Sequence, residues 1–182
     1  PKPHDPEAYA DMTARVVEAL PDEPVDAVGF SLGAMTLLRV AVDAPERFSR
    51  LVLAGIGRNV FEPDEEGHAR IVAALEGHGD PEDNLSRMFL NYASQPGNDL
   101  AALTAVMRQA RAALLRPEGL AGVTCPTLVV IGDKDFAGPG EPLADALPNA
   151  TLKILRHVDH FATPESFGFI DATLEFLDAV PS

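Results

Sequence analysis

Two short, almost wholly apolar runs constrain the fold of this chain more than any other feature of its sequence. Residues 51–56 read LVLAGI and residues 127–132 read TLVVIG. A strand that is buried on both faces has this continuous apolar pattern, whereas a half-exposed strand alternates between apolar and polar residues. Helical patterns lie between these runs, so the sequence predicts a parallel sheet with helices on its faces.

The other predicted elements alternate in the same way along the chain. Strands are predicted over 25–30, 48–56, 126–135 and 150–161, and helices over 5–20, 33–44, 141–148 and 164–180. Asp5 is predicted to cap the first helix. Between the second and third strands the pattern changes to three helices, near 67–77, 81–94 and 98–115.

Composition limits what the chain can bind. The 182 residues are 46% apolar, which is enough for one ordinary domain with a packed core. A formal net charge of −14 repels phosphate backbones and anionic lipid, so we expect neither a nucleic-acid nor a membrane partner. The one cysteine, Cys125, precludes an internal disulfide, which fits a cytoplasmic location. Its place before an apolar strand indicates a buried residue rather than a reactive thiol.

One serine lies where a predicted strand meets a predicted helix. Residues 25–37 read VDAVGFSLGAMTL, and Ser31 stands between Gly29 and Gly33 in a G-x-S-x-G pattern. A serine on such a sharp turn has a strained backbone, and we expect both glycines to be required because a side chain at either position would clash. The alternative is a structural turn residue, so the partners of Ser31 decide its role.

Acid and base candidates lie at the ends of the last two predicted strands. Asp133 and Asp135 lie in IGDKD at the end of the third strand, and His157 and His160 lie in RHVDHF at the end of the fourth. The carboxyl ends of parallel strands meet at one edge of a sheet, where ligands collect. A serine hydroxyl needs a base to take its proton and an acid to orient that base. The two histidines lack further ligands at useful spacing, so no metal is predicted.

These segments resemble a known family. VGFSLGA, PTLVVIGDKD and HVDHFATPESF are similar to the nucleophile, acid and histidine segments of the α/β-hydrolase superfamily, in particular its small esterases and enol-lactonase-like members with a helical lid. The resemblance implies an α/β fold in which a parallel sheet is flanked by helices and carries an inserted lid. It selects Asp135 over Asp133 as the acid and His160 over His157 as the base. This chemistry needs no cofactor, and none is expected.

The resemblance also divides the chain into segments. A core segment with the nucleophile is predicted over 1–56, a helical lid over 57–120, and a core segment with the acid and the histidine over 121–182. The family has further strands before the nucleophile strand, so we interpret the chain as the carboxyl-terminal part of a longer hydrolase or as one whose upstream residues are missing. The family's second oxyanion donor comes from that upstream part, and we therefore expect this segment alone to be poorly active and poorly soluble.

The predicted function is hydrolysis of a small ester, lactone or thioester through an acyl-Ser31 intermediate. The main-chain N–H of Leu32, at a helix start, is predicted to donate to the oxyanion. A substrate pocket is predicted to be lined by Phe30, Met88, Phe89, Tyr92 and Met107, with helix packing as the alternative for the last four.

Two further readings of the same residues stay open. One is an acyltransferase or perhydrolase that uses the same triad, and the other is a non-catalytic relative that binds a ligand in the same pocket. A haloalkane dehalogenase is disfavoured, because that reaction uses an aspartate nucleophile and residue 31 is a serine.

Overall fold

The computed structural model describes residues 2–109 and 113–179, and within them the strands form one parallel sheet. Its strands lie side by side in chain order: β1 (Val25–Phe30), β2 (Phe48–Ala54), β3 (Thr127–Gly132) and β4 (Ala150–Leu155). The helices are α1 (Met12–Ala19), α2 (Leu32–Asp43), α3 (Glu65–Leu75), α4 (Asn84–Ala93), α5 (Leu100–Arg108), α6 (Glu141–Ala146) and α7 (Phe167–Phe176). The predicted fold class, a parallel sheet flanked by helices, is confirmed.

The chain forms two compact units. The sheet unit comprises the described residues of 13–63 and 114–182, and the helical unit comprises those of 1–12 and 64–113. The longer part of the helical unit, residues 64–113, lies within the predicted lid segment, 57–120. The unit also includes the first residues of the chain. The predicted helices over 98–115 and 164–180 extend into residues 110–112 and 180, which lie outside the described residues.

Both faces of the central strands are buried, as their continuous apolar sequence predicts. On β2, Leu51 and Leu53 pack into a core with residues of α1, α2 and α6, while the alternating Val52 packs on the other face, where α7 contributes Phe169. Each of the three β2 side chains is fully buried. Burial of one such side chain contributes about 1.5–3 kcal/mol. A position in the middle of the sheet, where both faces of β2 are covered, is therefore strongly favoured.

The helical unit has its own small core and strong helix starts. Ile71, Leu75 and Ala93 are buried there. An aspartate caps each of its helices by accepting a main-chain N–H from the first turn: Asp64 in α3, Asp83 in α4 and Asp99 in α5. Such caps contribute about 1 kcal/mol each, and they explain why the helices begin where they do.

The predicted helix over 5–20 is divided in two. Asp5 accepts the N–H of Glu7, as predicted, but it caps a short 3-10 turn over Pro6–Tyr9, and α1 begins only at Met12. The turn belongs to the helical unit, while α1 from residue 13 onwards belongs to the sheet unit. α1 contributes Val16 and Val17 to the core of the sheet unit, whereas the short turn contacts α5 of the helical unit.

One arginine ties the end of α7 to the sheet. Arg50 on β2 donates to both carboxylate oxygens of Asp26 on β1, at 3.0 and 2.6 Å, and to the Asp178 carboxylate at 2.8 Å. The hydrogen bonds from Arg50 hold the pKa of Asp26 below its ordinary value, and they raise the pKa of the guanidinium in turn. This link lies at the end of β1 away from Ser31.

Candidate active site

Ser31 alone makes the turn between β1 and α2. Its backbone has φ 53° and ψ −115°, in the positive-φ region that side-chain-bearing residues rarely adopt. The Ser31 N–H donates to the Ala54 carbonyl at 2.8 Å, so the neighbouring strand β2 holds the turn in place. A strained residue of this kind costs on the order of 1–3 kcal/mol and persists only where the surrounding structure fixes it.

Only one of the two motif glycines is sterically required. A Cβ at Gly29 would lie 2.7 Å from the main-chain N and Cα of Ala34, because the first turn of α2 folds back over the end of β1. A Cβ at Gly33 would have no atom of the described residues within 4 Å. The prediction of a clash is confirmed for Gly29 and wrong for Gly33, which lies on the exposed side of the helix.

Asp135 lies in a tight turn just after β3. Its N–H donates to the Gly132 carbonyl at 3.1 Å, and its Oδ1 accepts the Ala137 N–H at 2.9 Å. The side chain is buried, with 8% of the residue exposed. The turn thus directs one carboxylate inward and fixes it with main-chain hydrogen bonds.

The loops after β3 and β4 are joined by close backbone contacts. A Cβ at Gly132 would lie 2.0 Å from the Val158 carbonyl oxygen, so only glycine fits there. Lys134 N–H donates to that same oxygen at 3.1 Å. Asp133 accepts the His157 N–H at 2.7 Å, and His157 has a φ of 61°. Asp133 and His157 are both exposed and belong to this junction rather than to a serine–histidine pair.

His160 is held by its own loop. Asp159 accepts the Ala162 N–H at 2.9 Å through its carboxylate, and its carbonyl accepts the Thr163 hydroxyl at 3.0 Å. Thr163 is fully buried and His160 is 3% exposed. The loop therefore presents the imidazole from a fixed turn at the carboxyl end of β4.

The three side chains form one hydrogen-bonded chain within the sheet unit. The Nδ1 atom of His160 lies 3.0 Å from both Oδ1 and Oδ2 of Asp135, and Nε2 lies 2.9 Å from Oγ of Ser31. An ionised carboxylate can only accept, so Nδ1 carries the proton and Nε2 is left as an acceptor for the serine O–H. The arrangement can remove a proton from Ser31 and hold the resulting positive charge beside Asp135.

Two residues beside these three side chains were not identified from the sequence. Gly55, with φ 67°, lies so close to the site that a Cβ would meet the Phe30 ring at 2.5 Å and His160 Cε1 at 3.1 Å. The Phe136 ring packs against the His160 ring in a tilted arrangement. The signal for Phe136 was its place directly after Asp135. Nothing in the sequence around Gly55 indicates its contact with the site.

The remaining predicted site residues fall into two groups. Leu32 is the first residue of α2, and the first main-chain N–H groups of a helix have no partner within it. Phe30 contacts the His160 ring, at 4.8 Å between ring centroids. Four predicted pocket residues lie in the helical unit instead: Met88, Phe89, Tyr92 and Met107. Phe89 and Met107 pack there against the core of that unit, and the pocket role of all four stays a prediction.

The described residues give less support to a metal site, a membrane span or a reactive cysteine than to the site around Ser31. Among residues 2–109 and 113–179, no group of three or more His, Cys, Asp or Glu side chains could hold a metal ion. In the same ranges no helix has the length and apolar character to span a membrane. Cys125 is half-buried against the sheet core, and burial raises the pKa of its thiol.

The sequence as a whole matches a family model. Residues 1–172 match the model described as "Alpha/beta hydrolase family".

Solved structures with the same fold are numerous. A serine hydrolase involved in carbazole degradation is 28% identical, with a TM-score of 0.61 over 99% of this chain and 75% of its own. An N-acyl homoserine lactone degrading enzyme, Est816, is 22% identical, with a TM-score of 0.66 over 100% of this chain and 78% of its own. A 2-hydroxy-6-oxo-6-phenylhexa-2,4-dienoate hydrolase from Rhodococcus sp. strain RHA1 is 20% identical, with a TM-score of 0.66 over 98% of this chain and 74% of its own.

Proposed function

This chain belongs to the alpha/beta hydrolase family, and we propose that it is a serine hydrolase that cleaves a small ester, lactone or thioester through an acyl-Ser31 intermediate. One observation carries the proposal. Nε2 of the buried His160 lies 2.9 Å from Ser31 Oγ while its Nδ1 lies 3.0 Å from Asp135. Such a chain of hydrogen bonds makes a weakly nucleophilic hydroxyl reactive.

Acylation begins with proton transfer from Ser31 to His160. Oγ attacks the substrate carbonyl as Nε2 takes its proton, and the imidazole becomes positively charged. Asp135 stabilises that charge and keeps Nδ1 protonated, so the histidine then delivers the Nε2 proton to the leaving group. Asp135 and His160 are 8% and 3% exposed, and charge interactions are stronger in such a dry environment than in water.

The tetrahedral intermediate needs a hydrogen-bond donor for its oxyanion. Leu32 N–H is the proposed donor, because it follows the nucleophile directly and stands at the positive end of α2, a helix of 12 residues. In the second half of the reaction, water takes the place of the leaving group. His160 removes a proton from that water as its oxygen attacks the acyl carbon. The bond from that carbon to Ser31 Oγ then breaks, and His160 returns the proton to Oγ, which regenerates the serine and releases the acid.

The substrate class rests on the chemistry of the site and on the relatives. The triad acts on carbonyl carbon, and the structural relatives include proteins named as an esterase and as a lactone-degrading enzyme. The predicted cytoplasmic location and the absence of nucleic-acid and membrane partners belong to this proposal. Its small-molecule substrate is expected to carry a short, largely apolar acyl group.

A panel assay tests the proposed function. Short-chain p-nitrophenyl esters, γ- and δ-lactones and one thioester are offered to the wild type and to Ser31→Ala. We expect turnover of at least one class by the wild type and background rates for the variant. Product analysis with added methanol or hydrogen peroxide distinguishes hydrolysis from acyl transfer. Equal rates for wild type and Ser31→Ala on every substrate would contradict the proposal.

A further inference from the structure

Three phenylalanine rings contact the imidazole of His160. Phe136 lies 4.3 Å away and Phe30 lies 4.8 Å away between ring centroids, with tilts of 41° and 37°. Phe161 meets the imidazole edge-on, at 5.4 Å and 84°. None of these rings carries a group that exchanges protons, so a contribution to the reaction would have to act through the histidine.

A histidine that bridges two partners needs its ring orientation fixed from outside. The χ2 torsion of histidine has broad, shallow preferences, so the side chain does not select one ring plane by itself. The hydrogen bonds to Asp135 and Ser31 are made by different ring nitrogens, Nδ1 and Nε2, so rotation about χ2 weakens both. Rotamers in active sites are held in such cases by packing of neighbouring side chains.

We propose that Phe136 is a positioning residue for His160, which deepens the proposed function and rests on it. It is the nearest of the three rings and follows the acid directly, so one turn sets the place of both the carboxylate and the ring that packs against the imidazole. Phe136 is 43% exposed whereas His160 is 3% exposed. The phenylalanine ring is thus a solvent-exposed neighbour that packs against a buried imidazole. In the proposed role it restricts rotation of the imidazole and limits the access of water to it.

The kinetic test compares side chains with and without an aromatic ring at position 136. Phe136→Leu keeps an apolar cover but removes the ring, and Phe136→Tyr keeps the ring. An aromatic contact of this type corresponds to a loss of about 2- to 12-fold in kcat for the leucine variant. We expect KM to change by less than that and the tyrosine variant to recover the wild-type kcat. Phe167→Leu, at a residue on α7 that is 82% exposed, is the matched control.

A second measurement does not depend on turnover. The proton on His160 Nδ1, shared with Asp135, is observed by NMR and assigned through its loss in His160→Gln. We expect Phe136→Leu to shift and broaden this signal through faster exchange with water, and Phe136→Tyr to restore it. An unchanged signal in Phe136→Leu, or a tyrosine variant as impaired as the leucine variant, would overturn the proposal. A changed signal in a protein that hydrolyses no substrate would uphold the positioning role and refute the proposed function.

Discussion

The two glycines that flank Ser31 differ in whether the structure has room for a side chain. In Gly29→Ala the new Cβ would lie 2.7–2.8 Å from three main-chain atoms of residues 33 and 34. Main-chain atoms cannot move away without opening the turn, so we expect the cost of overpacking, about 1–3 kcal/mol. In Gly33→Ala the Cβ enters open space within α2, and alanine is favoured over glycine in a helix by about 0.5–1 kcal/mol.

The pair therefore differs by roughly 1.5–4 kcal/mol in the free energy of unfolding. Urea denaturation followed by circular dichroism measures this difference, and thermal unfolding provides a second reading at about 2–4 °C per kcal/mol. Each variant is compared with the wild type, so Gly33→Ala is the control for any effect of a methyl group near the nucleophile. Equal destabilisation of both variants, or a stable Gly29→Ala, would refute the steric reasoning about this turn.

Three further predictions concern the acid of the site, an ion pair on the sheet and a glycine at the end of β3. Asp135→Asn should lower kcat for ester hydrolysis by about 10⁴-fold, as in serine triads whose acid becomes an amide. Asp133→Asn keeps an oxygen that accepts the His157 main-chain N–H, so its kcat should stay within a few-fold of the wild-type value. Asp26→Asn should destabilise the protein at neutral pH, with the difference from wild type fading as the pH falls below 3.8: Arg50 lowers the folded-state pKa of Asp26, so its stabilisation is present above the ordinary pKa and lost as the pH falls through the folded one. Urea midpoints at pH 7 and pH 3 test this, and a difference that grows at low pH would contradict it. Gly132→Ala should lower the melting temperature, because its Cβ would lie 2.0 Å from a carbonyl oxygen, whereas Gly33→Ala should leave the melting temperature unchanged or slightly higher.

The sheet and the order of its strands could be predicted because their signals are local. Continuous apolar runs such as residues 51–54 of β2 have the sequence of strands buried on both faces, and their helical connections require parallel pairing. The predicted positions of Ser31, Asp135 and His160 follow from the same property, since each lies directly after a strand or in the loop that follows it. The strands β3 and β4 end earlier than predicted, at Gly132 and Leu155. The carboxyl ends of parallel strands then bring the three side chains to one edge.

The errors arise where contacts depend on residues distant in the chain or on the direction of a turn. The clash at Gly29 and the open space at Gly33 depend on how the first turn of α2 crosses β1, which the motif does not specify. Phe136 lies in a turn, where side-chain direction follows no periodicity. In the predicted helix over 5–20, the apolar residues Tyr9, Met12, Val16 and Leu20 recur at helical spacing. The two parts of that segment nevertheless belong to different units, and no local pattern marks the division.

The proposed function requires Ser31 to be a nucleophile that His160 activates. A fluorophosphonate probe forms a covalent bond with an activated serine, and intact mass followed by peptide mapping locates the adduct. We predict one adduct, on Ser31, that is absent in Ser31→Ala and forms at least 100-fold more slowly in His160→Gln. Folded wild-type protein that stays unlabelled, or an adduct on another residue that persists in Ser31→Ala, would contradict it.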